Sequence, residues 1–230
     1  MREATILVEG QTEEAFVNRV LGPHLARFGV WTTPVLLETS RSPAGVKRGG
    51  GVSKWAKVDQ DVRRLLGASH QVFVSTMLDY FRLPEDVPGF SDKPKSGRDA
   101  VGHIERAIAS SIQDGRLVPY LSLHEFEALL FVDPSAVATQ AGQAATLAPA
   151  LRRIVAECGG PEAIDDGPLP APAKRLRAAW PGFSKVTDAV EILCRIGIAA
   201  HREECPHFGE WVKELERRAG EASRGAGLDA

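Results

Sequence analysis

The chain has 230 residues, of which 43% are hydrophobic and 25% charged, and its formal net charge is −2. These values are typical of a soluble globular protein with one large domain, and they argue against a general polyanion binder. No apolar run approaches the ~20 residues of a membrane span, and acidic residues near the N-terminus argue against a signal peptide. Three cysteines form no pairing framework, which predicts a reducing, cytoplasmic location.

The first predicted element is a strand that ends in a carboxylate. An apolar run from Ile6 to Val8 is followed by Glu9, and Gly10 then turns the chain into a helix. Thr12 is expected to cap this helix, and Glu13 lies in its first turn, where the helix dipole favours negative charge. Glu9 is therefore predicted at the carboxyl end of a strand, where open α/β sheets bind their ligands.

Strands and helices are predicted to alternate through the first half of the chain. A strand over 30–38 contains Pro34, which indicates an edge position. A helix starting at Trp55 is followed by a second strand that ends in Asp79, a loop over 82–97, a helix over 101–112 and a fourth strand over 117–123. The predicted fold class is α/β, with a mainly parallel central sheet flanked by helices over residues 1–134.

The second half of the chain is predicted to be helical. Helical spacing of apolar residues covers 135–158, 184–196 and 207–219, with a proline-rich loop around 167–172 between them. Residues 135–220 are therefore expected to form a helical extension packed on the core. The glycine-containing end, 221–230, is expected to be a flexible tail.

Two strand-end carboxylates can share a hard divalent cation. Glu9 and Asp79 should lie at the same edge of the sheet, because parallel strands bring their carboxyl ends together. Mg²⁺ or Mn²⁺ held by such oxygen ligands can support phosphodiester cleavage. Glu13 is a further candidate ligand, although a helix-start charge explains it more simply.

A cluster of polar residues follows the fourth predicted strand. In the sequence from His124 to Glu127, both Glu125 and Glu127 offer carboxylates near a strand end, whether the segment is helical or extended. The alternative is an exposed first helical turn. A zinc-peptidase motif is excluded, since position 128 is alanine where a second histidine is required.

Two segments concentrate positive charge in this weakly acidic chain. Residues 41–64 carry a surplus of five positive charges, and residues 172–185 carry a surplus of four. We expect them to face the acids and position phosphates, because carboxylates alone repel a nucleic acid. For any single one of these residues, a solvated surface charge is the simpler reading. The candidate substrate-binding residues are Lys54, Lys57, His124, Lys174 and Arg175.

Several motifs resemble known families. The run from Glu9 to Glu13, together with Asp79, resembles the Toprim domain of topoisomerases, primases and overcoming-lysogenization-defect nucleases. The sequence from His124 to Phe131 and the Cys205-Pro206-His207-Phe208 stretch are similar to the domain of unknown function family 4276. Such stretches cover most of residues 4–216.

The resemblance implies a Toprim-like core with a Mg²⁺ site made by the first glutamate and a later aspartate pair. The second aspartate of that pair would fall on Phe81, so Glu125 or Glu127 is expected to replace it. Lys185 is expected to stabilise charge that develops on the phosphate. A setting in bacterial defence beside a partner ATPase is also implied.

The leading hypothesis is a Mg²⁺-dependent (or Mn²⁺-dependent) nuclease acting on DNA or RNA. Its catalytic residues would be Glu9, Asp79, Glu127 and Lys185. The competing hypothesis is a non-catalytic subunit that binds nucleic acid or an ATPase through a degenerate Toprim core, and Phe81 favours it. Assembly into a homo-oligomer is left open.

Overall fold

A parallel sheet forms the centre of the protein. The computed structural model describes residues 2–37, 54–95, 97–123, 125–164 and 171–225. The strands are β1 (Arg2–Val8), β2 (Val30–Leu36), β3 (Gln71–Asp79), β4 (Leu117–Val118) and β5 (Leu121–Ser122). Their order is β2-β1-β3-β4, with β5 also paired to β3, and all these pairings are parallel. The strands therefore present their carboxyl ends at one edge.

Helices cover both faces of this sheet. Among the described residues, no helix combines the length with the apolar character of a membrane span. The helices are α1 (Gln11–Phe16), α2 (Gly22–Ala26), α3 (Trp55–Leu66), α4 (Gly97–Ile112), α5 (Pro134–Gln140), α6 (Ala144–Cys158), α7 (Pro172–Ala179), α8 (Asp188–Glu204) and α9 (Pro206–Gly225). A π-helical turn covers Val17–Leu21, and 3₁₀ turns cover Tyr80–Arg82, Phe126–Val132 and Pro161–Ala163.

Successive side chains of the central strands enter two separate cores. Ile6 packs with α1, α8 and α9, whereas its neighbour Leu7 packs with α3 and α4. The middle strand β3 divides in the same way, with Phe73 and Val74 in opposite cores. Burial on both faces is what a nearly continuous apolar strand requires in a parallel sheet. The predicted fold class is confirmed.

The fourth predicted strand is interrupted in the middle. Pro119 lacks a backbone N–H, and it separates β4 from β5. The hydroxyl of Thr76 on β3 bridges the gap: it accepts from the Tyr120 amide (2.9 Å) and donates to the Tyr120 carbonyl (3.0 Å). Side-chain hydrogen bonds thus hold the edge strand where its ladder is broken. Pro34 lies on the other edge strand, β2, as predicted.

The C-terminal half is helical, with two departures from expectation. Pro172, the last residue of the predicted proline-rich loop, instead begins helix α7, because its missing N–H costs nothing in the first turn. Residues 221–225, expected to belong to a tail, continue α9. The Ser223 hydroxyl donates to the Phe28 carbonyl at 2.7 Å, which fastens this end to the core. Residues 226–230 lie outside the described ranges.

Candidate active site

Glu9 is positioned by the turn between β1 and α1. One carboxylate oxygen, Oε1, accepts a hydrogen bond from the Asp79 backbone amide at 2.9 Å. The other oxygen, Oε2, is buried and has no hydrogen-bond partner among the described residues. Burial raises the pKa of Glu9, against the opposing effects of that hydrogen bond and of the Arg82 charge. A buried carboxylate oxygen without a hydrogen-bond partner lowers the stability of the folded protein, and a bound cation would offset that loss.

Asp79 ends β3 beside Glu9. Its Oδ1 accepts a hydrogen bond from the Phe126 amide at 3.0 Å. Burial raises the pKa of Asp79 well above its usual range, and the negative charges of Glu9, Glu13 and Glu127 raise it further. Three glutamates, two of them at the β1–α1 connection and one from the 3₁₀ turn Phe126–Val132, therefore lie within electrostatic reach of Asp79.

Glu13 faces this region from α1. Burial raises the pKa of Glu13 to about 7, and the charges of Glu127 and Glu9 also contribute. A Cβ on Gly10 would lie 3.0 Å from Oε2 of Glu13, so the glycine leaves room for this carboxylate. The cap predicted at Thr12 is wrong, because Gly10 occupies the N-cap position.

Glu127 completes the group of acids and is paired with a lysine. Its side chain is 5% exposed and forms an ion pair with the Lys185 ammonium, whose side chain is 27% exposed. The hydroxyl of Thr12 donates to the backbone carbonyl of Lys185 at 3.3 Å. Thr12 therefore links α1 to the segment that carries Lys185. We call Glu9, Glu13, Asp79 and Glu127 the acid cluster.

Arg82 is a residue at the cluster that the sequence did not reveal. It lies in the 3₁₀ turn after β3, with Nε 3.9 Å from Oδ2 of Asp79, and its side chain is 41% exposed. Its charge acts to lower the pKa values of both Glu9 and Asp79. Its position three residues after Asp79 could have indicated that it lies near that carboxylate. The surrounding sequence, however, predicted only a loop.

The two candidate replacements for the missing aspartate differ in position. Glu127 lies within the acid cluster, whereas Oε2 of Glu125 accepts a hydrogen bond from the Ala173 amide at 3.1 Å, at the start of α7. Glu125 is thus engaged by α7. Phe81 is 44% exposed and contacts the Tyr80 ring, with centroids 5.9 Å apart. An apolar ring therefore occupies the position expected for an acid.

The predicted substrate-binding cations lie on separate elements. Lys54 is exposed before α3, and Lys57 is half-buried within that helix. Lys174 is exposed on α7, and Arg175 is buried on the same helix. In the described ranges, Lys54, Lys57 and Lys174 form no ion pair with the acid cluster. His124 and the part of the first basic segment before Lys54 lie outside the described residues.

Near the C-terminus, two histidines and a cysteine make separate structural contacts, and they form no metal-holding group within the described ranges. Nδ1 of His201 pairs with the Gly197 carbonyl at 2.7 Å, and burial lowers the pKa of His201 to about 4. Nε2 of His207 lies 3.1 Å from Oε1 of Glu105. Cys205 is buried at the junction of α8 and α9. Each therefore has its own structural contacts.

The carboxylates of the acid cluster are suitable ligands for a divalent cation, although in this structure other protein groups contact three of them. No group of three or more His, Cys, Asp or Glu side chains within the described ranges is arranged to hold a metal ion. Hydrogen bonds engage Glu9 and Asp79, and Lys185 neutralises Glu127. However, the buried, unpartnered Oε2 of Glu9 and an all-carboxylate donor set are what Mg²⁺ or Mn²⁺ prefers.

The fold and the site define an α/β protein with buried carboxylates at the carboxyl edge of a parallel sheet. The chain belongs to the family described as domain of unknown function (DUF4276), whose model matches residues 8–216. No curated protein matches the chain.

Three solved structures resemble it. The C-terminal region of the Burkholderia pseudomallei OLD protein is 15% identical, with a TM-score of 0.45, over 95% of this chain and 99% of that chain. The C-terminal region of the Xanthomonas campestris pv. campestris OLD protein, phased with platinum, is 14% identical, with a TM-score of 0.48, over 98% and 97%. The same region phased with mercury is 16% identical, with a TM-score of 0.43, over 95% of each chain.

Proposed function

We propose that the protein is a Toprim-like nuclease that uses Mg²⁺ or Mn²⁺ to cleave nucleic-acid phosphodiesters. The observation that carries the proposal is the acid cluster: Glu9, Glu13 and Glu127 lie within electrostatic reach of Asp79 at the carboxyl edge of a parallel sheet, with Lys185 and Arg82 beside them. Burial raises the pKa values of Glu9, Glu13 and Asp79 and costs stability, so the arrangement needs a functional reason.

In this proposal, the acid cluster holds the cation, with Glu9 and Asp79 as its central ligands. A cation held there would supply charge neutralisation at the phosphate and activation of a water molecule. Backbone amides hold both side chains before substrate arrives: the Asp79 amide donates to the Glu9 carboxylate, and the Phe126 amide donates to the Asp79 carboxylate. Such preorganisation is the main contribution that a protein makes to phosphate chemistry.

The cations of the site would hold the substrate. Lys185 and the half-exposed Arg82 lie at the cluster and would contact the oxygens of the scissile phosphate or of its neighbour. Lys54, Lys57, His124, Lys174 and Arg175 would guide more distant phosphates. The protein would work in the bacterial cytoplasm in defence, together with a partner ATPase.

The experiment is a cleavage assay on purified protein with single- and double-stranded DNA and RNA, with Mg²⁺ or Mn²⁺. Wild type should nick or degrade at least one substrate, and chelation should stop it. Glu9→Gln keeps the side-chain volume and removes the charge, so it should abolish cleavage while the protein stays folded. Glu3→Gln, at the opposite end of β1, is the matched control. Equal cleavage by wild type and Glu9→Gln would indicate a contaminating nuclease.

A second candidate function is a non-catalytic subunit that binds nucleic acid or an ATPase, alone or as a homo-oligomer. Two observations favour it: Phe81 stands where an acid is expected, and no three-ligand group is preformed among the described residues. This alternative predicts salt-dependent binding of nucleic acid without cleavage under any metal. A gel-shift titration run beside the cleavage assay distinguishes the two.

A further inference from the structure

The ion pair between Lys185 and Glu127 places a protein cation inside the acid cluster. Glu127 is buried, and its negative charge reaches both Asp79 and Glu13. Lys185 comes from the segment between α7 and α8, in the C-terminal half of the chain. Its ammonium therefore neutralises a carboxylate that would otherwise be available to an incoming cation.

The segment that carries Lys185 is fixed at both ends and exposed in the middle. Phe183 is buried against Trp180, with ring centroids 5.5 Å apart. Oδ2 of Asp188 accepts from the Ser184 amide at 2.8 Å. Between these anchors, Val186 is 49% exposed. The long side chain of Lys185 can thus leave Glu127 without disturbing either anchor.

The charges at the site indicate that a divalent cation and the Lys185 ammonium would compete for the Glu127 carboxylate. Among the described residues, two cations, Lys185 and Arg82, lie beside the four carboxylates, and of these two Lys185 makes the close contact. Arg82 remains 3.9 Å from Asp79. A divalent cation placed among these acids would be repelled by an ammonium that stays on Glu127.

We propose that Lys185 is a tethered counter-ion that a divalent cation displaces from Glu127. The released ammonium stays at the rim of the acid cluster, where it meets the phosphate of the substrate. This inference rests on the proposed function, because it assumes that the acid cluster binds a metal. It also explains why no three-ligand group is preformed in the described part of the chain: one of the ligands is held by the protein's own lysine.

The test measures Mn²⁺ affinity without substrate, by electron paramagnetic resonance of the free ion. Lys185→Met keeps the length of the side chain and removes its charge, so it should tighten Mn²⁺ binding roughly tenfold. Lys185→Arg keeps the charge and should leave the affinity near that of wild type. Lys213→Met removes an exposed lysine on α9, remote from the cluster, and is the matched control. Circular dichroism melts check that each variant is folded.

A second measurement uses wild type and does not depend on the folding of any variant. In lysine-labelled protein, the ¹³Cε–¹Hε signal of Lys185 should shift as Mg²⁺ is added, whereas that of Lys213 should not. Unchanged or weaker Mn²⁺ binding by Lys185→Met, with a stationary Lys185 signal, overturns the inference and leaves the nuclease proposal standing. Absence of Mn²⁺ binding by wild type and Lys185→Met alike overturns both. Binding by Lys185→Met alone supports the displacement.

Discussion

The carboxylate of Glu9 accepts a hydrogen bond from the backbone amide of Asp79, with Oε1 and N 2.9 Å apart. Glu9 directly follows β1, Asp79 is the last residue of the neighbouring parallel strand β3, and the two are 70 positions apart in the chain. This contact fixes Glu9 against the end of β3 and leaves Oε2 of Glu9 buried without a partner in the described residues.

Replacing Glu13 by Gln should stabilise the metal-free protein at alkaline pH. The folded-state pKa of about 7 lies above the ordinary 4.5, so the folded protein favours the protonated form. This contribution to stability is complete below pH 4.5 and is lost as the pH rises through 7. Gln imitates the protonated acid, so the variant should gain about 1–3 kcal/mol at pH 8 and little at pH 4. Urea unfolding in chelator measures this, and equal stability at pH 8 would contradict it.

Replacing Gly10 by Ala should weaken metal binding, with a loss of stability of only about 1 kcal/mol because alanine is a poorer N-cap than glycine. The new Cβ would lie 3.0 Å from Oε2 of Glu13 and would push that carboxylate aside. The backbone of Gly10 is extended, at φ −146°, so alanine fits there without strain. Mn²⁺ affinity should fall severalfold. Gly115→Ala, where the Cβ meets nothing within 4 Å, is the control and should leave the affinity unchanged.

Replacing Arg82 by Gln should weaken substrate binding more than metal binding. The guanidinium is half-exposed beside Asp79 and offers donors to a phosphate. Loss of one phosphate contact should flatten the log–log salt dependence of nucleic-acid affinity by about 0.7–0.9. Arg106→Gln, on α4, serves for comparison. A slope that does not change would exclude Arg82 from the substrate path.

Replacing Thr76 by Val should destabilise the fold. Its hydroxyl satisfies both the amide and the carbonyl of Tyr120 within the core, and valine leaves both groups buried and unpaired. The expected loss is about 1–3 kcal/mol of unfolding free energy. Denaturant titration measures it. Thr139→Val, on an exposed part of α5, should cost far less.

Replacing His201 by Gln should reduce the acid sensitivity of the protein. Burial lowers the folded-state pKa of His201 to about 4 from the ordinary 6.5. The unfolded chain therefore binds a proton that the folded protein does not, and stability falls as the pH drops from 6.5 towards 4. This amounts to about 3 kcal/mol over the window. Unfolding free energies at pH 7 and 5 should differ less in the variant. If both proteins lose the same stability, His201 is not the group responsible.

Local sequence was enough to predict the position of the central acids. Glu9 and Asp79 each end an apolar strand, and parallel pairing then brings their backbones together. The choice between Glu125 and Glu127 could not be made in this way, because their spacing suits several backbone conformations. The 3₁₀ turn that starts at Phe126 decides the direction of both side chains. It directs Glu127 to the acid cluster, whereas Glu125 contacts α7.

Contacts between distant parts of the chain were beyond the reach of sequence patterns. The hydrogen bond from Thr12 to Lys185 spans 173 positions. The local sequence predicts that Thr12 caps a helix. Only the tertiary structure shows that its hydroxyl instead donates to the backbone carbonyl of Lys185. Likewise, the prolines around 167–172 predicted a loop, whereas the structure places Pro172 in the first turn of α7.

The last helix is hydrogen-bonded to the middle of the sheet. Nε1 of Trp211 on α9 donates to Oγ of Ser75 on β3 at 2.9 Å, and that hydroxyl donates in turn to the Val118 carbonyl at 2.6 Å. A nascent chain on the ribosome therefore cannot complete the support of β3 until α9 has emerged from the exit tunnel. The carboxylates at the end of β3 would then reach their final arrangement late in synthesis, so an unfinished chain would carry no assembled site.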